Sequence, residues 1–362
     1  MKIVIITTEP SGDYLGYHLI KSLKKSKPNC KIYGVGGELM KSTGFRSWLS
    51  MNHFNTIGII EVLLRILKFV KLLNFLGMKI RDINPEILIT IDSPSFNYRL
   101  VKKLQILRNT KTKFVHYVAP TVWAWKSYRS KIFAKLYDQM FTLFNFEPKY
   151  FTNYNLNTKF VGHQIFFEKK KILKKKKILC FLPGSREVEI KNNLKILKRI
   201  IKKIKINFPE FKIYILTFSN HKKIVLNSVK GLNIRITTNF SDKQKIMEQS
   251  FLAIAASGSV TLELTKYRTP TIVVYKTNLL TQLILKIFVK VKYASIINIV
   301  NDKEIIPEFI FQDFTEQNVV SEIKNIIENE SIRKKQIRFM NEFSKNMLLN
   351  NQNPSDLIVK NL

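Results

Sequence analysis

Acidic residues are scarce in this chain, which sets 26 Asp and Glu against 61 Lys and Arg and so carries a formal net charge of +35 over 362 residues. Cysteine is scarcer still. Cys30 and Cys180 are the only two, which excludes a disulfide framework, and neither has metal-ligand spacing around it. Both are expected to be buried thiols in a reducing compartment. The five histidines are scattered and no Asp-x-Asp pair occurs, so neither a bound metal nor another cofactor is implied. A Gly-x-Ser-x-Gly elbow is also missing, which leaves Ser-His-Asp nucleophilic catalysis without support. No run approaches the roughly 18 uninterrupted apolar residues of a spanning helix. The chain is expected to be soluble or peripheral, and the apolar start Ile3-Val4-Ile5-Ile6 to be a first strand rather than an export signal, because folded sequence with Glu9 and Asp13 continues from it.

Apolar residues make up 45% of the sequence, in short runs punctuated by Gly, Pro and Asn, which is the composition of a globular protein. The length exceeds the size at which single cores stop growing, so two domains are expected. A charge this large attracts polyanions or anionic lipid. Yet Lys, Ile and Asn are abundant everywhere, loops included, as compositional drift would also produce. No nucleic-acid recognition module or aromatic-basic signature accompanies the charge, so no nucleic-acid partner is expected.

The runs Lys2–Thr8, Lys31–Val35, Glu86–Ile91 and Lys113–Val118 read as strands separated by helical patterns. Ile178–Leu182, Lys212–Thr217, Phe251–Ala256 and Thr271–Tyr275 repeat the grammar after the lysine-rich segment 168–177. Alternation of this kind favours parallel βαβ units with ligands beyond the carboxyl ends of the strands. We expect an α/β fold of two similar domains facing a central cleft: 1–167, a basic linker 168–177, then 178–345. A C-terminal tail, 346–362, is expected to pack on the first domain.

Chemistry concentrates at the strand ends. The loop Pro183-Gly184-Ser185-Arg186 leads from a strand into a helix with Glu187 and Glu189 in its first turn. Backbone N–H groups and the helix dipole favour an anion there, Gly184 permits close approach, and Arg186 offers a fork for phosphate oxygens. Ser257-Gly258-Ser259 repeats the pattern, and Glu263 about one turn further on suits ribose hydroxyls. The bland alternative is a helix cap at Ser257 and a solvated Glu263. In the first half, Asp92 ends an apolar strand ahead of Ser93-Pro94, placed to act as a general base. Asp13, within the turn Ser11-Gly12-Asp13, and Glu9 just before it compete for that role. His116 and His163 read as structural hydrogen-bonders.

Between Ile57 and Met78, Arg65, Lys68 and Lys71 recur every third residue while apolar side chains fill the rest of the helix. That arc is too wide for one core-facing stripe. It suits a helix lying in a membrane interface or lining an acyl-chain groove, with Leu63, Leu67 and Val70 as contacts, or one buried on two sides. Leu279–Val291, with Lys286 and Lys290, is a weaker second candidate.

These motifs together resemble the lipid-A-disaccharide synthases, a family of bacterial glycosyltransferases. The resemblance runs in one order from Glu9-Pro10-Ser11-Gly12-Asp13 through Gly34–Met40, Gly58–Val62 and Ile91–Asn97. It continues through His116-Tyr117-Val118-Ala119-Pro120-Thr121-Val122-Trp123-Ala124-Trp125, its most specific tract, to Phe146-Glu147-Pro148, Phe160–His163, Pro183–Arg186 and Ser257–Glu263. Thr7-Thr8 stands where Ala-Gly is common, Asn145 and Ile297 replace prolines, and the stretch after Phe343 matches least. The resemblance implies a GT-B architecture of two Rossmann-like domains and transfer, with inversion and no metal, of a diacylglucosaminyl group. The donor is UDP-2,3-diacylglucosamine and the acceptor the 6-hydroxyl of 2,3-diacylglucosamine 1-phosphate. It carries over Asp92 as base and Arg186 as diphosphate ligand. Ser257, Ser259, Glu263 and Asn298 would meet UDP, with Gly184, Ser185 and Gly258 shaping the loops and Glu9, Ser11, Gly12 and Asp13 on the acceptor side. Both lipids would reach a peripheral enzyme at the cytoplasmic face of the inner membrane, and a homodimer is left open.

Replacing Leu63, Leu67 and Val70 together with serine is expected to weaken co-sedimentation with membrane vesicles while the circular dichroism spectrum is retained. Undiminished sedimentation of the triple variant would remove the interfacial reading of this helix.

Overall fold

A computed structural model describes residues 1–54, 62–168, 173–277, 282 and 291–362, with the side chains of 52 and 62–66 excepted. The chain divides into two compact units, Met1–Phe167 completed by Met347–Leu362, and Glu168–Asn346.

The first unit is built on β1 (Lys2–Thr7), β2 (Lys31–Val35), β3 (Ile87–Ile91), β4 (Lys113–Tyr117), β5 (Gln139–Thr142) and β6 (Asn157–Phe160). All pairs are parallel, in the order β2-β1-β3-β4-β5-β6. Strands so arranged are covered on both faces by crossover helices, which is why β1 and β3 are continuous apolar runs with every residue of β3 buried. The order reverses between β1 and β3, and a crevice opens at such a switch point beyond the strand ends. Helix Pro10–Ser26 starts there. A Cβ on Gly12 would lie 2.0 Å from Thr7 Oγ1, so glycine lets the helix begin hard against the strand it follows.

The end of the chain belongs to this unit. Helix Pro354–Asn361 packs along Pro10–Ser26, with Ser22 Oγ donating to Asp356 Oδ1 at 2.6 Å and Ser355 Oγ to Gln164 Oε1 at 2.9 Å. Gly162, at φ +91, bridges to Leu348, and a side chain there would meet Met347 O at 2.6 Å.

The second unit uses β7 (Lys176–Leu182), β8 (Lys212–Leu216), β9 (Arg235–Thr237), β10 (Ser250–Ala256), β11 (Thr271–Tyr275) and β12 (Glu308–Ile310). Their order is β12-β11-β10-β7-β8-β9, all parallel, with the switch point between β7 and β10. Helix Glu187–Asn207 buries Ile190, Leu194, Leu197, Ile200, Ile201 and Ile204, a 3–4 residue spacing, against Phe181 and Ile254. The expected linker is shorter than 168–177. Lys176 already belongs to β7, and Lys175 is half-buried, its Nζ donating to Glu248 O, Tyr267 O and Thr269 Oγ1. Burial pulls its pKa down to about 8. Residues 169–172 lie outside the described residues. Cys180 is buried as expected, whereas Cys30 is only half-buried because it sits in the turn before β2.

His116 on β4 is wholly buried between Phe133 and Tyr137, ring centroids 4.9 and 5.0 Å away, with Nδ1 2.7 Å from Thr90 Oγ1. Burial pushes its pKa down to about 3. The folded unit therefore resists a proton that the unfolded chain accepts below pH 6.5, and this contribution to stability, complete above 6.5, is lost as pH falls toward 3. The slope from this one group is about 1.4 kcal/mol per pH unit. Trp48, Trp123 and Trp125 all lie in the first unit, so urea unfolding followed by tryptophan fluorescence reads it alone. His116→Phe is expected to lose about one proton's worth of that slope relative to the parent. Parallel pH profiles of the two proteins would contradict the assignment.

Candidate functional site

At the first switch point Thr7 pairs with Ile91, so the residues that follow, Thr8 and Asp92, leave adjoining strands side by side. Asp92 and Ser93 are both left-handed, at φ +54 and +46. Two such residues in succession cost about 1–3 kcal/mol each unless their surroundings hold them. Here Asp92 N donates to Tyr117 O at 2.9 Å, and Asn97 Nδ2 to Asp92 O at 2.6 Å. The carboxylate is fixed as well, Oδ2 accepting from Ser11 Oγ at 2.7 Å and Oδ1 from Ser93 N at 2.8 Å. Ser93 Oγ donates to Glu9 Oε1 at 2.8 Å and accepts from Thr8 Oγ1 at 2.7 Å. The crevice thus holds two carboxylates, Asp92 and Glu9, joined through Ser93, whose N–H meets the first and whose hydroxyl meets the second.

Asp13 is not part of that network. Its carboxylate is buried and accepts from three backbone amides, Gly37 N at 2.7 Å, Leu39 N at 3.0 Å and Met40 N at 3.1 Å. It caps the short helix Glu38–Lys41. Next to β3, Val118 adopts φ +80, an outlier for a β-branched residue, and donates its N–H to Phe141 O at 2.9 Å. It opens the aromatic tract, which Glu147 anchors by accepting from Leu143 N, Phe144 N and Trp123 Nε1. Burial raises the Glu147 pKa to about 8.

In the second unit Leu182 pairs with Ala255, so the loops Pro183–Arg186 and Ser257–Ser259 leave neighbouring strands. Gly184 has φ +126, and a Cβ there would lie 2.3 Å from Glu189 Oε2. That oxygen accepts from Ser185 N at 2.9 Å and Arg186 N at 3.5 Å. The amides expected to await an anion are thus held by the helix's own third residue, whereas the Arg186 guanidinium is exposed. Asn193 Nδ2 fixes Pro183 O at 2.8 Å from below. Ser257 Oγ donates to Ala294 O at 2.9 Å, so it ties the loop to its neighbour rather than capping the helix, while Gly258 and Ser259 are exposed. Glu263 is half-buried on helix Val260–Lys266. Desolvation raises its pKa against the pull of Lys243 and Lys266.

Asn298 lies behind the segment that Ser257 contacts. It is fully buried and its amide is spent within the protein: Nδ2 donates to Ile306 O and Glu308 Oε1, both at 2.7 Å, and Oδ1 accepts from Ile305 N and Ile306 N. Glu308 in turn accepts from Ala294 N and Ser295 N. Asn298 therefore braces the segment on which Ser257 leans.

Helix Val62–Ile83 turns Leu73, Leu76 and Ile80 inward and leaves Leu67 55% and Val70 41% exposed. The side chain of Leu63 and residues 55–61 lie outside the described residues, as does nearly all of Leu279–Val291. Among the described residues no helix is long and apolar enough to cross a membrane.

Sequence reasoning overlooked Ser93, whose hydroxyl joins Glu9 to Thr8. It also missed Lys243 and Phe218, which bring a cation 4.3 Å from a half-exposed ring near Glu263. Ser93 lay within the Asp-Ser-Pro turn and was legible there. Lys243, one lysine among many, carried no local signal.

The chain matches the family model described as lipid-A-disaccharide synthetase over residues 3–362. It is 35% identical over 349 residues to the lipid-A-disaccharide synthase of Rickettsia prowazekii (strain Madrid E), covering 93% of this chain and 91% of that protein. Among solved structures it resembles the UDP-GlcNAc 2-epimerase of Neisseria meningitidis bound to UDP-GlcNAc (TM-score 0.69, 12% identity, 100% of this chain and 99% of the other). It also resembles the spinosyn rhamnosyltransferase SpnG complexed with thymidine diphosphate (TM-score 0.61, 11% identity, 99% of each chain). These likenesses show the fold, the two-domain α/β GT-B class.

Removing the three-amide acceptor with Asp13→Ala is expected to destabilise the first unit by about 1–2 kcal/mol. Urea unfolding followed by tryptophan fluorescence checks this. An unaltered midpoint would mean that the Gly37–Met40 turn stands without Asp13.

Proposed function

Because the chain belongs to the lipid-A-disaccharide synthase family, and is a glycosyltransferase of that family, we propose the following reaction. It transfers 2,3-diacylglucosamine from its UDP derivative to the 6-hydroxyl of 2,3-diacylglucosamine 1-phosphate, giving a β-1,6-linked disaccharide 1-phosphate and UDP. The observation that carries this reading is the Asp92 carboxylate, set at a strand tip in a strained backbone and held at both oxygens by Ser11 and Ser93.

Asp92 takes the proton of the acceptor 6-hydroxyl as that oxygen attacks the anomeric carbon. The bond to the UDP oxygen breaks on the opposite face, so the configuration inverts and the electron pair leaves with the diphosphate. Arg186 and the start of helix Glu187–Asn207 meet the charge that develops there, which gives the leaving group a cation from the chain itself. A diphosphate reaching the Ser185 and Arg186 amides displaces the Glu189 carboxylate, for which Gly184 leaves room. Glu263, kept from solvent and flanked by Lys243, accepts from the ribose hydroxyls, with Ser257 and Ser259 beside the diphosphate. Glu9 shares the Asp92 network through Ser93 and is the alternative base, while Asp13 is removed from contention by its amide partners. Leu67 and Val70 rest in the cytoplasmic leaflet of the inner membrane, from which a peripheral enzyme draws both lipids.

UDP release from the diacylated donor in the presence of the monosaccharide 1-phosphate tests the reaction, and the anomeric coupling constant of the product tests inversion. Asp92→Asn is expected to lower kcat about 100-fold or more with little change in either KM. Arg186→Ala is expected to raise the donor KM about tenfold or more, the loss of one charge-assisted contact. No release by the unaltered protein, or full release by Asp92→Asn, would overturn the corresponding claim.

A further inference from the structure

Two arginines meet Ser95, three residues beyond Asp92 in the first turn of helix Pro94–Lys103, and a lysine shares an aromatic ring with one of them. Arg129 Nη2 donates to Ser95 Oγ at 2.9 Å and Arg99 Nη1 to Ser95 O at 2.5 Å. Arg129 also lies against the exposed ring of Trp125, its Cζ 5.8 Å from the centroid, and Lys126 Nζ sits 4.1 Å from the same centroid. Among the described residues none of the three is in an ion pair. Lys126 is held in the left-handed region at φ +52, so the backbone bears strain where the third charge is delivered. Like charges drawn to one aromatic ring and one hydroxyl repel each other, and an anion between them relieves that repulsion.

We propose that this cluster binds the phosphomonoester of the acceptor lipid, an inference that rests on the reaction proposed above. Ser95 follows Asp92 by three residues, in the first turn of the helix into which the left-handed Asp92-Ser93 pair leads. In that sugar the carbon bearing the phosphate and the carbon bearing the 6-hydroxymethyl group both flank the ring oxygen, so a glucosamine whose 6-hydroxyl meets Asp92 carries its phosphate on the same edge, toward Ser95 and the Arg129 that holds it. The same helix delivers the lipid's tails. Arg99 stacks over Tyr98 and Phe69, Cζ to centroid 4.7 and 5.7 Å, and Phe69 belongs to the helix whose Leu67 and Val70 are exposed. Base, cation cluster and apolar face thus follow one another in the order hydroxyl, phosphate and acyl chain. Arg129 supplies the planar fork that suits a phosphate bidentately, and Lys126 a mobile point charge.

The test compares transfer to 2,3-diacylglucosamine 1-phosphate with transfer to the same lipid lacking the phosphate, both in neutral phosphatidylcholine vesicles. The unaltered protein is expected to prefer the phosphorylated acceptor by about tenfold or more in kcat/KM. Arg129→Gln is expected to cut that preference to less than about threefold, chiefly through acceptor KM, with partial return in Arg129→Lys and the donor KM unmoved. Lys126→Gln, at an exposed position, gives the same direction if Arg129→Gln fails to fold. An unchanged preference in a folded Arg129→Gln overturns the proposal. So does loss of binding to phosphatidylglycerol vesicles with the preference intact, which would assign the cluster to anionic headgroups. Equal use of both acceptors by the unaltered protein sinks this inference alone, whereas use of neither sinks the reaction on which it rests.

Discussion

Parallel strand pairing at the two points of reversed order, β1 with β3 and β7 with β10, is the constraint from which every functional feature of this chain descends. Hydrogen bonding fixes Thr7 opposite Ile91 and Leu182 opposite Ala255. The loops that follow must then leave side by side, because their helices depart to opposite faces of the sheet. Residues far apart in sequence meet for this reason alone. Ser11 reaches Asp92 across 81 positions, and the Arg186 and Ser257 loops share an edge. No local propensity places them.

What the switch points create, the surroundings have to hold. Asp92, Ser93 and Val118 all sit at positive φ in a row of neighbouring strand ends, and no glycine relieves the strain. The compensation is visible in Asn97, Tyr117 and Phe141, which hold the backbone of Asp92 and Val118 by hydrogen bonds. It is visible too in the buried Glu147, which stitches the turn after β5 to Trp123. Strain at a strand tip, over-determined by hydrogen bonds from behind, aims a side chain into a crevice without letting it wander. The same logic explains why Asp13 and Asn298, both polar residues close to the sites, are spent on backbone amides.

The two-unit α/β fold was legible in the sequence because interior parallel strands are continuous apolar runs. β1, β3, β4, β7, β10 and β11 announce themselves in this way. β6, β9 and β12 did not, since Asn-Thr-Lys-Phe, Arg-Ile-Thr and Glu-Phe-Ile lie at or near sheet edges where half-exposure erases the signal. β5 is buried throughout but only four residues long, too short for a period to show. The site was legible in part. Pattern alone puts Asp92 and Arg186 at strand ends, and the structure has Asp92 directly after β3 and Arg186 in the loop after β7. Surroundings across the crevice were not legible: a lone carboxylate in a turn reads alike whether it meets a serine hydroxyl, as Glu9 does, or three amides, as Asp13 does. The end of the chain was the weakest part of the match, yet Pro354–Asn361 packs against the first helix through Ser22 and Ser355. A tail held by burial and two hydroxyls leaves little motif to read.

The excess of positive charge takes on a different meaning once its positions are known. Much of it lies along exposed helix faces, where lysine is solvated and costs little. That is what drift in composition would leave. Lys175 is unlike these, half-buried and satisfied by two carbonyls and a hydroxyl. Arg99, Lys126 and Arg129 are unlike them again, gathered on one serine and a set of aromatic rings, at the end of the sheet where Asp92 stands. Drift scatters charge without regard to tertiary neighbours, since sequence composition knows nothing of which strands pair. Residues 99, 126 and 129 come from a helix, a loop and the next helix, and only the β3–β4 pairing brings their segments together. A bulk charge that is compositional in origin can therefore still contain a placed one, and the placed one is recognised by convergence from separate elements rather than by abundance.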